Sequence, residues 1–133
     1  MLINYYGKKK EKMDKPLRIV QRWTETIGMK DPKAMVNFYD RNAVLLATFD
    51  PFLVGKAEIF DYFVEFVDKE NLRCTITENV NFIDRATEFA SCSGLYTFTF
   101  IERGIEVEVE ARYTYVIRRG KIITHHSSLE PTE

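Results

Sequence analysis

The stretch "SGLYTFTFIERGIEVEVEARYTYVIRRGKIITHHSS", residues 93–128, decides the fold. Apolar and polar residues alternate through it with period two, the pattern of strands that bury one face. Arg103-Gly104 and Arg119-Gly120 interrupt the pattern as two-residue hairpin turns. Counting outward from each turn predicts the pairing. Leu95 falls opposite Arg112 across the first turn; across the second, Thr114 falls opposite His125 and Arg112 opposite Ser127. Alternate residues share a face, so Arg112, Thr114, His125 and Ser127 form one polar patch. His126, Tyr113, Tyr115, Tyr96, Phe98 and Phe100 take the other face. A one-residue shift at either turn would put His126 and Ser128 in the patch instead. Glu106, Glu108 and Glu110, alternating with Val107 and Val109, read as a solvated strand face with which Arg112 can pair.

Two further β-rich runs are predicted, "RCTITENVNFI" at 73–83 and "EFASCSGLYTFTFIE" at 88–102. Ahead of Asn71 the punctuation is helical. Asp14 caps and Pro16 opens a run in which Ile19, Val20, Trp23 and Ile27 recur at helical spacing until Gly28, predicting a helix over 15–27. Asp31 and Pro32 start a second, shorter helix with Ala34, Met35, Phe38 and Tyr39 as its stripe. "AVLLAT", 43–48, reads as a short buried strand closed by Asp50-Pro51. Gly55 precedes a third helix, whose face carries Ile59, Phe60, Phe63, Phe66 and Val67 with Tyr62 on its flank. Helices first and a β-meander afterwards predict an α+β fold with N-terminal helices packed on a curved antiparallel sheet. It forms a single domain over 1–133, with 1–14 as an N-terminal extension.

Composition narrows the function. The chain has 133 residues, 45% of them hydrophobic, with ten Phe, seven Tyr and one Trp, enough for one core. A net charge of −1 with dispersed basic residues argues against nucleic acid. The apolar runs are too short to span a membrane, and the N-terminus lacks the layout of a secretory signal. Cys74 and Cys92 read as buried thiols of a reducing, cytoplasmic setting; a chain that had lost a targeting peptide to an organelle or the periplasm would read the same way. His125 and His126 are the only histidines. As strand neighbours they point to opposite sides, whereas a catalytic zinc takes three protein ligands, so no metal and no cofactor are expected. Neither a Gly-x-Ser-x-Gly elbow nor a phosphate-cradling glycine loop occurs. What remains is a pocket of hydroxyls, one imidazole and an arginine, suited to polarising a small polar molecule.

The helix pair followed by "YDRNAVLLATFD", "GKAEIFDYFVEFV", "SGLYTFTF", "EARYTYVIRRGK" and "HHSSLEP" resembles the nuclear transport factor 2-like superfamily, a cone-shaped α+β fold that includes SnoaL-like cyclases and ketosteroid isomerases. Within it the chain is most similar to the association domain of calcium/calmodulin-dependent kinases and to iota-class carbonic anhydrases, over residues 15–131. The latter resemblance implies metal-free hydration of CO2 to bicarbonate. It carries the catalytic set onto Thr48, Tyr62, His125 and Ser127. Thr48 and Ser127 would position water, Tyr62 would bind a substrate oxygen, and His125 would relay the proton. Kinase-type domains line this pocket with arginines, where this chain has Leu95, Thr114 and Ser127. Leu95, Arg112 and Thr114 are therefore expected to border the substrate.

Two other readings stand beside this one. A non-catalytic association or small-ligand-binding module needs no reactive group, and an isomerase or cyclase needs a deep Asp or Glu base that the sequence does not offer. Thr48 can be an ordinary β-branched strand residue, and Tyr62 can be rim packing. Tyr96, Phe98, Phe100, Val107, Val109, Tyr113 and Tyr115, if left on the outer sheet face, predict a homodimer through that face.

Overall fold

The computed structural model describes residues 15–48 and 52–131. The Asp14 cap, the 1–14 extension and the Asp50-Pro51 strand end lie outside these residues. Helix α1 covers 15–26 and tightens into a 3-10 turn at Ile27–Met29. Its stripe is buried as the spacing predicts, with Val20 and Ile27 fully covered. Lys30 closes the turn in the left-handed region, φ 55°. Its ammonium donates to the carbonyls of Val67, Asp68 and Lys69 at 3.4, 3.2 and 3.1 Å, placing a cation where the C-terminal end of a later helix is negative.

Helix α2, Pro32–Val36, starts as expected: Asp31 Oδ1 accepts from the Ala34 amide at 3.0 Å, and proline opens the first turn. It ends earlier than its apolar stripe. Tyr39 opens strand β1 (Tyr39–Leu46) rather than continuing the helix, because it pairs with Ile122, whose amide donates to the Phe38 carbonyl at 2.9 Å. Strand β1 also stops at Leu46, so Thr48 lies just past the strand that 43–48 was expected to form.

A short edge strand, β2 (Phe52–Val54), then precedes helix α3 (Lys56–Phe66). Gly55 makes the corner between them with φ 89°, a conformation glycine adopts without strain. The long strands follow: β3 (Glu70–Asp84), β4 (Phe89–Glu102), β5 (Ile105–Arg118) and β6 (Lys121–Leu129). Together the strands make one curved six-stranded sheet in the order β2-β1-β6-β5-β4-β3. It is antiparallel except where β1 runs parallel to β6.

The predicted turns form as type I′ corners, Arg103 and Gly104 at φ 53° and 76°, Arg119 and Gly120 at φ 50° and 80°. The first hairpin keeps its predicted register along its whole length, including Leu95 opposite Arg112. The second does not. It starts with Arg118 opposite Lys121 and Ile117 opposite Ile122, then resumes with Val116 opposite Thr124, leaving Ile123 as an extra residue. This β-bulge moves every later partner by one. Tyr115 faces His125, Thr114 faces His126, Tyr113 faces Ser127 and Arg112 faces Ser128.

The bulge corrects the assignment of faces. Trp23 from α1 sits within 5.3–6.2 Å, centroid to centroid, of Phe63 from α3 and of Tyr96, Phe98, Tyr115 and His125 from the sheet. Tyr96, Phe98, Phe100, Tyr113 and Tyr115 are therefore core residues beneath the helices, with Val107 and Val109 packed against them. They are not the outer surface on which the dimer expectation rested. Burying rings of this size against one another is the main driving force for docking α1 and α3 on the sheet.

Candidate functional site

The bulge aims His125 and Ser127 inward, and β1, α1 and α3 bring the remaining groups to them. His125 is only 2% exposed. Its ring lies flat against Tyr115, with centroids 3.9 Å apart and planes 16° from parallel. Both ring nitrogens are engaged: Nδ1 with the Tyr39 hydroxyl at 2.8 Å and Nε2 with the Tyr96 hydroxyl at 3.1 Å. Trp23 Nε1 in turn donates to the Tyr39 hydroxyl at 3.0 Å. Beyond Tyr96, the Ser127 hydroxyl sits 2.7 Å from the Thr48 hydroxyl. Trp23, Tyr39, His125 and Tyr96, from α1, β1, β6 and β4, thus form one hydrogen-bonded path through an aromatic core, and the Ser127–Thr48 pair lies at its open end.

The path opens into a cavity of about 30 Å³, lined by Thr48, Tyr62, His125 and Ser127 together with Trp23, Tyr96, Lys69 and the phenylalanines Phe63, Phe66, Phe98 and Phe100. One ordered water needs about 10–15 Å³ of such space, so the cavity has room for a few small-molecule atoms. All four residues of the expected catalytic set border this cavity. No carboxylate lines it among the described residues. Among the described residues, too, no group of three or more His, Cys, Asp and Glu side chains is placed to hold a metal ion.

Leu95, Arg112 and Thr114 are placed elsewhere. Arg112 pairs with Leu95 and Ser128, and Thr114 with Ser93 and His126, all on the sheet face away from the helices. Thr114 Oγ1 lies 3.3 Å from Ser93 Oγ there. The physical reason is the extra residue Ile123, which turns His125 and Ser127 away from the strand positions they were expected to join. His126 and Ser128 share the outer face with Arg112 instead.

Burial also changes what His125 can do. Desolvation, with a smaller contribution from the neighbouring His126 charge, lowers its pKa from the usual imidazole value to about 3. At neutral pH it is an uncharged ring with both nitrogens occupied, and so a fixed hydrogen-bonding group rather than a carrier that exchanges protons with solvent. The phenols of Tyr39, Tyr96 and Tyr115 are all pushed well above their ordinary range by the same desolvation. None of them ionises near neutral pH.

Four site residues escaped the sequence reading. Tyr39 carried a helical spacing that its strand pairing overrode. Trp23 and Tyr96 were assigned only to apolar faces, although a buried indole N–H or phenol needs a polar partner, and that need was the available signal. Lys69 follows the end of α3. Its ammonium lies 4.5 Å from the Phe100 ring centroid, where it adds positive charge to the cavity wall. Nothing in the local pattern marks it.

Comparison with known proteins agrees with the architecture. A candidate calcium/calmodulin dependent protein kinase II association domain from Xanthomonas campestris shares 30% identity, with a TM-score of 0.77 over 86% of this chain and 84% of its own. An NTF2-like protein with a cystatin-like fold from Novosphingobium aromaticivorans superposes with a TM-score of 0.81 at 9% identity, over 98% of this chain and 90% of its own. A candidate dehydratase of the NTF2-like family from Streptomyces avermitilis gives 0.79 at 14% identity, over 90% and 96%. The last two establish the fold alone. No curated protein matches the chain. The SnoaL-like domain family matches residues 20–125, which includes His125 and nearly every element that builds the cavity, and the chain belongs to that family.

Proposed function

We propose that this chain hydrates CO2 to bicarbonate in the cavity between Thr48, Tyr62, Ser127 and Lys69. The observation that carries the proposal is the size and chemistry of the cavity. At about 30 Å³ it suits a substrate of a few atoms, whereas pockets for drug-sized ligands measure roughly 300–1,000 Å³. Isomerase or cyclase chemistry on a larger skeleton would also require a carboxylate base, and none lines the cavity among the described residues.

In the proposed step a water oxygen attacks the carbon of CO2 and forms the new C–O bond. One C=O electron pair moves onto an oxygen that accepts hydrogen bonds from the Thr48–Ser127 hydroxyl pair and from Tyr62. The proton lost by the attacking water passes to solvent at the mouth. Preorganised donors facing a developing oxyanion are worth about 10²–10³ in rate each in well-studied cases, and alignment of water with CO2 adds to that. Lys69 favours retention of the anionic product, and His125 holds Tyr39 and Tyr96 in place.

Stopped-flow CO2 hydration on protein dialysed against a chelator, with metal content measured on the same sample, tests the reading. Turnover above buffer, reduced by about 10²-fold in the Thr48→Ala/Ser127→Ala double variant, is the expected result. Folded protein with no turnover would leave a second reading, a non-catalytic association or small-ligand-binding module, which the 30% likeness to the Xanthomonas campestris protein favours.

We also propose that two copies pair through the outer sheet face. Exposed Phe82 (74%) and Val80 (62%) lie there, paired with Ser91 and Ser93, on the same side as Arg112 and Thr114. Sedimentation of a dimer that Phe82→Lys converts to monomer is the expected outcome.

A further inference from the structure

We infer that Trp23 sets the direction of the buried hydrogen-bond path, so that the cavity ends in a hydroxyl donor and selects a small ligand with an acceptor oxygen, such as a monovalent oxyanion. The argument is a count of protons. Indole Nε1–H can only donate, and it donates to the Tyr39 oxygen. The Tyr39 proton then has one acceptor among the described contacts, His125 Nδ1 at 2.8 Å. Leaving that buried O–H unpaired would forfeit a hydrogen bond, so Nδ1 is the acceptor. A neutral imidazole with Nδ1 accepting carries its proton on Nε2, and that proton goes to the Tyr96 oxygen at 3.1 Å.

Tyr96 therefore keeps its own proton for the cavity, whose wall it forms together with Ser127 and Thr48. Ser127 and Thr48 share one contact at 2.7 Å and have two hydroxyl protons between them. One proton satisfies that contact whichever atom donates, and the other is left to face the cavity. Were the direction reversed, Tyr96 would spend its proton on Nε2 and present the cavity with a lone pair instead. The remote indole thus decides whether Tyr96 meets the ligand as a donor or as an acceptor, although three hydrogen bonds separate them. Trp23 and Tyr39 are positioning residues in this scheme. Lys69 in the cavity wall favours the same class of ligand by charge.

The inference deepens the proposed hydration and rests on it for the cavity being the working site, but it is read out without turnover. The experiment is side-chain ¹⁵N–¹H correlation NMR of His125 in the full chain, with titrations of bicarbonate and formate followed on the same spectra. The wild type is expected to show the Nε2–H tautomer and to bind both anions. Trp23→Phe and Tyr39→Phe are expected to mix the tautomers and weaken anion binding by about tenfold, a loss of about 1.4 kcal/mol. Tyr115→Phe removes the one buried hydroxyl that has no partner among the described residues and should leave both readouts unchanged. An Nδ1–H tautomer in the wild type would overturn the inference, even if neither core variant folds. So would unchanged tautomer and affinity in a folded Trp23→Phe or Tyr39→Phe. Absence of CO2 hydration alongside the expected tautomer and anion binding would remove the hydration proposal and leave this inference standing.

Discussion

The Arg103-Gly104 and Arg119-Gly120 hairpins begin with the same chemistry and diverge within a few residues. Both turns place two consecutive residues at positive φ, and both start in the register their turns dictate. The β4/β5 ladder then runs unbroken from Glu102 opposite Ile105 to Phe89 opposite Arg118, whereas the β5/β6 ladder slips at Ile123. The difference lies in what each strand must bury. In β4 and β5 the inward residues alternate strictly. In β6, Ile122 packs inward opposite Ile117 and His125 packs inward against Tyr115, and two inward side chains three residues apart require one extra residue between them. A turn fixes where pairing starts; packing determines whether it continues.

Removing the extra residue is the most severe way to break this comparison. Deleting Ile123 forces either Ile122 or His125 to the wrong face. It should cost about 4 kcal/mol or more, as rare core-disrupting changes do, measured by urea unfolding. Gly94→Ala tests the other side of β4, where the pairing with β3 shifts register beside Glu78, since a Cβ there would overlap the Glu78 carbonyl and stand 2.9 Å from the Tyr113 hydroxyl. A loss of about 3 kcal/mol is expected. Gly104→Ala meets no neighbouring atom and strains only a φ of 76°, so about 1 kcal/mol is expected there.

The two histidines sharpen the comparison through pH. His125 has a folded pKa of about 3, below its unfolded reference near 6.5. Between those values the unfolded chain binds a proton that the native chain does not. The stabilisation is fully present above about pH 6.5 and falls by about 1.4 kcal/mol per pH unit as pH drops toward 3. Denaturation midpoints across pH 7 to 4 should show this slope in wild type and His126→Gln, and lose it in His125→Gln. The smallest effects belong to the β5 residues that the bulge separates from His125 and Ser127. Arg112→Ala and Thr114→Ala should each leave CO2 hydration within about twofold of wild type, against the roughly 10²-fold effect of losing the oxyanion donors. A large loss from either would mean that the outer face does the chemistry.

Much of the fold was legible because it rests on local rules. Helical spacing around Trp23, the Asp31-Pro32 cap, the Gly55 corner and both Arg-Gly turns act over a few residues, and each forms where its pattern predicts. Tyr39 was misread because it fits a helix by spacing and a strand by partner, and the partner lies 83 residues away at Ile122. The site was legible by a different route. Thr48, Tyr62, His125 and Ser127, the set carried over from the family resemblance, border one cavity, while strand counting drew in Leu95, Arg112 and Thr114 by missing one bulge. Trp23, Tyr96 and Lys69 reach the site only through contacts between elements.

By itself the sequence determined the order of helices and strands, the turns, and a single apolar core rich in aromatics, because propensity, periodicity and turn chemistry are short-range properties of the chain. Only the tertiary structure decided which face of β6 is inside, and with it that His125 is buried and uncharged between two phenols. That choice depends on burying Ile122 and on pairing the polar atoms of His125, Tyr39, Tyr96 and Trp23 at once, a condition met by residues more than a hundred positions apart and visible in none of them alone.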